Sequence, residues 1–366
     1  MRNRVFIIVT LAALLVSALL IGVSPALAAV DTAAALDYLK TQQNADGGFG
    51  SGFSPDSALG STADVVLAIV AAGGDLANFD QDGNTPLTYL AAKAASAATA
   101  GDLAKLIQAT IAAGENPREF GGLDSVAKLE SMTGADGKIG GDMDTFVSHV
   151  LAILALASAQ RPIPAAAVDY VKDAQQEGGS WAWDGSAATA GDTNTTAFAV
   201  QALIAAGEAP DSEAVTAALD YYKGIQNDDG GWPYQSPSDF GTDTDANSTA
   251  VTIQAILAAG QDPVGAEWTT DAGSTPIAAL EAFQNESGAF AWQAAMPDDN
   301  LLATVQALPA LAGKAFPLAT MDVGEATAAA PTTTPETGGP VASLALPLIL
   351  SGLALAGGGY ALRRKH

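Results

Sequence analysis

Gln226-Asn227-Asp228-Asp229-Gly230-Gly231-Trp232 follows one helical stretch and precedes another, and the pattern recurs along the chain. Its other copies are Gln43-Asn44-Ala45-Asp46-Gly47-Gly48-Phe49, Gln176-Glu177-Gly178-Gly179-Ser180-Trp181 and Gln284-Asn285-Glu286-Ser287-Gly288-Ala289-Phe290. The glycines permit a tight reversal, while Gln and the aromatic can join the helix before the turn to the helix after it. Self-similarity on this scale marks a repeat architecture, in which no single unit buries its own apolar face.

Six segments end in small residues and a stop: 65–73, 103–114, 146–157, 197–207, 250–260 and 301–313. Near their starts stand Asp64, Asp102, Asp144, Asp192, Asp245 and Asp299, often beside Thr, Ser or Asn, which reads as N-cap chemistry. Between them lie six further helical patterns, at 33–43, 85–98, 122–132, 165–176, 212–226 and 274–284. The first set is Ala-rich and apolar nearly all round; the second carries Lys, Asp and Tyr on one face. That contrast predicts an all-α α6/α6 toroid, with inner and outer rings of six helices and no unburied repeat end. An open solenoid is the alternative. The linker pattern resembles the prenyltransferase and squalene-cyclase repeat of the α/α toroid superfamily, which also contains the cobalamin carriers transcobalamin and intrinsic factor.

The ends carry different signals. Arg2 and Arg4, an apolar stretch over 5–23 and Ala26-Leu27-Ala28 make residues 1–29 a signal peptide. The toroid occupies 30–318, an Ala/Thr/Pro-rich linker 319–340, and a transmembrane anchor with a basic tail 341–366. Within the linker, Thr334-Pro335-Glu336-Thr337-Gly338-Gly339 resembles a sortase sorting signal, with Thr334 where that family usually has Leu. The resemblance implies a sortase acting at Thr337; plain retention by a membrane span is the other reading. Both place the protein on the extracellular face of the cell envelope, anchored to membrane or wall.

Forty acidic residues against fifteen basic ones give a net charge of −25, which repels phosphate backbones and excludes nucleic acid as a partner. The absence of cysteine removes thiol nucleophiles and Cys-ligated zinc, so the metal chemistry of the prenyltransferases is excluded and no cofactor is required. Squalene-hopene cyclases protonate substrate with an Asp-x-Asp-Asp motif; the nearest string, Asp243-Thr244-Asp245-Ala246, lacks the last carboxylate. His149 sits inside an apolar inner segment and reads as a satisfied buried histidine; Asp80-Gln81-Asp82-Gly83-Asn84 reads as a capped turn and not a calcium loop.

Inner helices that begin on one rim gather the aspartates at one mouth, where they either cap helices or form an acidic opening over an apolar barrel. Candidate ligand-binding residues are Asp192, Thr193, Asn194, Asp245, Asn247 and Asp299, with Trp183, Tyr234 and Trp292 as second aromatics that either pack or line the mouth. Asp192-Thr193-Asn194 resembles the Asp-Thr helix starts of the cobalamin carriers, which makes cobalamin a candidate ligand. The reading is a noncatalytic binding protein for a small amphiphilic ligand, a corrinoid among them, or for a surface protein. Its alternatives are a glycan hydrolase or lyase and a terpene-cyclase-like enzyme.

Overall fold

The computed structural model describes residues 30–325, Phe53 and Phe240 excepted. Twelve α-helices run within them: α1 (Thr32–Thr41), α2 (Leu59–Ala71), α3 (Pro86–Lys93), α4 (Ala100–Ala112), α5 (Ser125–Glu130), α6 (Phe146–Ser158), α7 (Ala165–Asp173), α8 (Thr193–Ala205), α9 (Glu213–Ile225), α10 (Ala246–Ala258), α11 (Pro276–Glu281) and α12 (Leu301–Leu311). A hairpin of β1 (Phe290–Gln293) and β2 (Met296–Asn300) precedes α12 and is absent from the sequence reading. The expected signal peptide, Thr337 with its sorting motif, and the anchor lie outside the described residues. Among the described residues, no helix is long and apolar enough to cross a membrane.

The even-numbered helices form the inner ring. Each packs on the next, and α12 packs back on α2, so the structure is a closed toroid and not an open solenoid. Burial follows the predicted contrast: in α6 every residue except Ala157 is buried, whereas α1 buries only Ala35 and Leu39. Alanines on the inner helices let neighbouring axes approach, and Val, Leu and Ile fill what remains.

The repeat glutamine ties the outer ring together. Gln226 Nε2 donates to the carbonyl of Gly230 in its own turn (3.0 Å) and to that of Trp268 in the next unit (3.0 Å). Gln43 does the same with Gly47 and Phe79. Gln284 closes the circle, donating to Gly288 and to Asp31, whose side chain caps α1. In the remaining copy the clamp is Gln175, to Gly179 and Ala214 at 2.8 Å each, one residue before the Gln176 of the sequence reading. Gln176 instead fills the Asn place: its N–H reaches Ser180 O just as that of Asn227 reaches Gly231 O. The first turn glycine is needed twice over. Gly230 has φ +93°, and a Cβ there would stand 2.7 Å from the Thr275 carbonyl oxygen.

The repeat tryptophans are anchors: Trp181 and Trp232 are fully buried, and their indole N–H groups donate to Val171 O (2.7 Å) and Tyr222 O (2.8 Å). After α12, residues 312–325 pass across the toroid at the end where the inner helices finish, touching Gln201 and Ser158. The 80–84 segment is the expected capped turn, with Asp80 Oδ1 accepting from Gly83 N–H.

Candidate functional site

All six inner helices start on one rim, and a repeated hydrogen bond fixes their register. Four residues after the cap in four of them, a hydroxyl receives the backbone N–H of the repeat aromatic: Thr62 from Phe49, Thr196 from Trp181, Thr249 from Trp232 and Thr304 from Phe290, at 2.8–3.0 Å. In α6 the same place is taken by His149, whose Nδ1 accepts from Ile139 N–H at 2.9 Å. The caps are therefore Ala58, Thr99, Thr145, Asp192, Asp245 and Asn300.

The expected acidic ring contracts to two carboxylates. Asp64 lies inside α2 and Asp102 in the first turn of α4. Asp144 precedes its cap by one residue and accepts from Ala100 N–H. Asp299 belongs to the exposed strand β2, where it accepts from Asn285 and Ser287, so it leaves the candidate site. In the last three cases a Thr or Asn side chain, at Thr99, Thr145 and Asn300, holds the helix start, whereas α2 begins at Ala58 without a side-chain cap.

Asp192 is 2% exposed. Its Oδ1 accepts from Thr195 N–H at 2.7 Å, its Oδ2 from the Thr195 hydroxyl at 2.8 Å, and the Tyr234 hydroxyl also bonds the carboxyl. Burial pushes Asp192 up to about 6, outweighing these bonds, which pull the other way. Asp245 repeats the arrangement with Ser248 and is likewise pushed up to about 6 by burial. Thr193 sets Tyr234 in place: its N–H donates to Tyr234 O (2.8 Å) and its hydroxyl to Pro233 O (2.7 Å). Burial, and then the charge of Asp192, raises the Tyr234 phenol.

Asp192, Asn194, Trp183 and Tyr234 come together, with Val147, Thr195 and Phe198, around a pocket of about 20 Å³, roughly the space of one water. The buried Asn194 Oδ1 has no hydrogen-bond partner in the protein, and Trp183 is 44% exposed at the edge. Thr193 supports this cluster from behind, and Asp245 caps the adjacent inner helix. Asn247 is spent on Gln306, donating to Oε1 at 2.6 Å, and the half-buried Trp292 sits on β1; neither lines this pocket.

Two features escaped the sequence. Phe198, six residues after the Asp192 cap, forms the aromatic wall below the acid. At the same distance from their caps, α2 and α4 carry Asp64 and Lys105, an ion pair at 2.6 Å with both side chains about a quarter exposed. In a ring of six, α2 stands across from α8, so this charged wall faces the aromatic one.

His149 is structural, as expected. Its Nδ1 accepts from Ile139, which leaves Nε2 to donate to Ala167 O at 3.0 Å, and burial lowers its pKa to about 4. No cluster of three or more metal-ligating side chains occurs among the described residues.

The squalene-hopene cyclase C-terminal domain profile matches residues 133–298, and the prenyltransferase alpha-alpha toroid domain profile matches residues 4–104. No curated protein matches the sequence. Among solved structures, the type II terpene cyclase MstE from Scytonema superposes with a TM-score of 0.55 at 15% identity, covering 77% of this chain and 96% of that one. A variant of that enzyme holding its substrate, geranylgeranyl dihydroxybenzoate, gives the same TM-score and identity, covering 77% and 95%. A protein from Actinoplanes reaches 0.53 at 15% identity, covering 77% and 98%, and haptocorrin in complex with Cbi 0.48 at 16%, covering 79% and 67%. These matches correct the expectation of a noncatalytic binding module. The chain has the terpene-cyclase-like fold, shared with the type II cyclase MstE over nearly that enzyme's full length.

Proposed function

We propose that this member of the α/α toroid superfamily of prenyltransferase and squalene-cyclase repeats is a protonation-initiated cyclase of an isoprenoid chain, with Asp192 as the proton donor. The observation that carries the reading is a buried carboxyl, pushed up to about 6, that shares one pocket with three aromatic rings. A carboxylic acid with its pKa raised to about 6 is still about half protonated near pH 6, so it has a proton to give, and the aromatic rings beside it can stabilise the cation that protonation creates.

The step balances without a co-reactant. The Asp192 O–H proton adds to one carbon of a terminal C=C, leaving a tertiary cation and a carboxylate. The π electrons of the next C=C form a C–C bond to that cation, and loss of a proton from the final cation restores a double bond. Trp183, Phe198 and Tyr234 line the pocket, where aromatic rings can stabilise the passing positive charge. Water regenerates the acid. Asp245 is as buried and as shifted as Asp192, but it does not line this pocket; it holds the start of α10 and the segment that carries Tyr234. The Asp64–Lys105 wall suits a polar head group at the other end of the chain.

Incubation with geranylgeranyl dihydroxybenzoate and with polyprenyl diphosphates should yield cyclised isomers of unchanged mass. Asp192→Asn should lower the rate by about 10²- to 10⁴-fold, whereas Asp299→Asn, outside the pocket, should leave it intact. Absence of any isomer with the unaltered protein, or equal rates in Asp192→Asn, would sink the proposal.

A further inference from the structure

We infer that a cavity between the turn before α10 and the β1–β2 hairpin binds a small phenol, whose ring takes the place that a tyrosine fills elsewhere in the toroid. The cavity measures about 460 Å³, within the range of small-molecule sites. Asp229 and Ser274 stand on one side, Ala279 and Phe283 line it from α11 and the residues just after it, and Gln293 and Pro297 face them from the hairpin. It shares no lining residue with the Asp192 pocket, so the inference is independent of the cyclase reading.

The repeat explains why the space is open. Five residues before the clamp glutamines Gln43, Gln175 and Gln226 stand Tyr38, Tyr170 and Tyr221, and α3 carries Tyr89. The phenol of each lies within reach of a carboxylate from the preceding unit of the ring: Asp299 for Tyr38, Asp46 for Tyr89, Asp136 for Tyr170 and Asp192 for Tyr221. Tyr89 packs so closely on the second turn glycine that a Cβ on Gly48 would stand 2.9 Å from its ring. On α5 a lysine reaches across instead, Lys128 Nζ donating to Ala97 O. Five residues before Gln284, however, stands Ala279. A Cβ on Gly231, the counterpart of Gly48, would meet the Ala279 Cβ at 3.4 Å and no ring.

The carboxylate of this niche is in place without its phenol. Asp229 Oδ1 accepts from Gly231 N–H (3.0 Å) and the Thr244 hydroxyl (2.8 Å), as Asp46 Oδ1 does from Gly48 and Ser57. Among the described residues no donor reaches Asp229 Oδ2, and no lysine or arginine lines the cavity. A ligand hydroxyl can donate to that oxygen while its ring covers the apolar surface of Ala279 and Phe283. The cavity exceeds one ring, which leaves room for substituents on the phenol.

In the full-length protein, an NMR titration with p-cresol, the tyrosine side chain as a free molecule, should move the amides of residues 229–231 and 278–283 first. The dissociation constant should be roughly 0.1–1 mM. Toluene, which lacks the hydroxyl, should bind about tenfold more weakly, and Asp229→Asn should narrow that gap. Ala279→Tyr supplies the ring from the chain itself, so it should weaken p-cresol binding at least tenfold and raise the melting temperature. Ala282→Leu, on the open side of the same cavity, is a second block should Ala279→Tyr fail to fold. No amide shift at millimolar p-cresol, shifts centred on Asp192 and Phe198 instead, or undiminished binding in the folded blocking variants would overturn the inference.

Discussion

Changing Asp192 and Asp245 together to asparagine should alter how the protein's stability responds to acid. Each carboxyl rises from 3.8 to about 6 on folding, so between those values the folded chain holds a proton that the unfolded chain has released. Stability contributed by such a group is fully present below pH 3.8 and is lost as pH climbs through 6. A shift of about two units corresponds to about 3 kcal/mol per group, at roughly 1.4 kcal/mol per unit. The pair therefore contributes about 6 kcal/mol in strong acid and about 5 kcal/mol at pH 4, nearly all of it gone by pH 7. His149 acts oppositely in the same window: lowered to about 4, it destabilises the fold as pH falls below 6.5, so the unaltered protein's curve alone hides the effect. Urea unfolding of both proteins at pH 4, 5, 6 and 7 isolates it as a difference. The stability of the unaltered protein relative to Asp192→Asn/Asp245→Asn should decline by several kcal/mol from pH 4 to 7. A difference that stays level or grows with pH would mean that the helix starts hold both groups ionised, and would refute the reasoning from burial.

Other consequences follow from single contacts. His149→Ala removes a buried ring and leaves Ile139 N–H and Ala167 O unpaired, and should cost about 3–5 kcal/mol, measured by urea unfolding at pH 7. Gly230→Ala forces a side chain into positive φ against Thr275 O and should cost at least about 2 kcal/mol, read as a fall in melting temperature. Gln284→Ala breaks the tie to Asp31 that closes the outer ring. It should speed hydrogen exchange in α1 and α11 before the remaining helices, with a loss of about 1–2 kcal/mol overall.

The fold was legible because every level of the sequence repeats: the Gln clamp, the turn glycine, the buried aromatic and the apolar inner helix all recur in step. The register was harder. In Asp144-Thr145 and Asp299-Asn300 two good caps stand side by side, and Asp was chosen where Thr and Asn do the work. The threonine four residues on, at 304, points to Asn300, since that hydroxyl anchors the repeat aromatic as at 62, 196 and 249; at Asp144-Thr145 His149 takes that place, so the signal is missing there. Asp192, Asn194, Trp183 and Tyr234 were found from local pattern alone because α8 is capped where the sequence suggests. Phe198 and the Asp64–Lys105 wall were missed because facing the lumen is a property of the closed ring and not of any one helix. The segment after α12 has no helical or strand period, so nothing in its sequence shows that it crosses the toroid.

The central claim is that Asp192 protonates an isoprenoid double bond, and isotopic labelling reads that event directly. Cyclisation run in D2O with geranylgeranyl dihydroxybenzoate should place one deuterium at the carbon that starts the cascade, with the head group retained and the label lost in Asp192→Asn along with the product. A cyclised product without deuterium, or one that has shed its head group, would contradict the account.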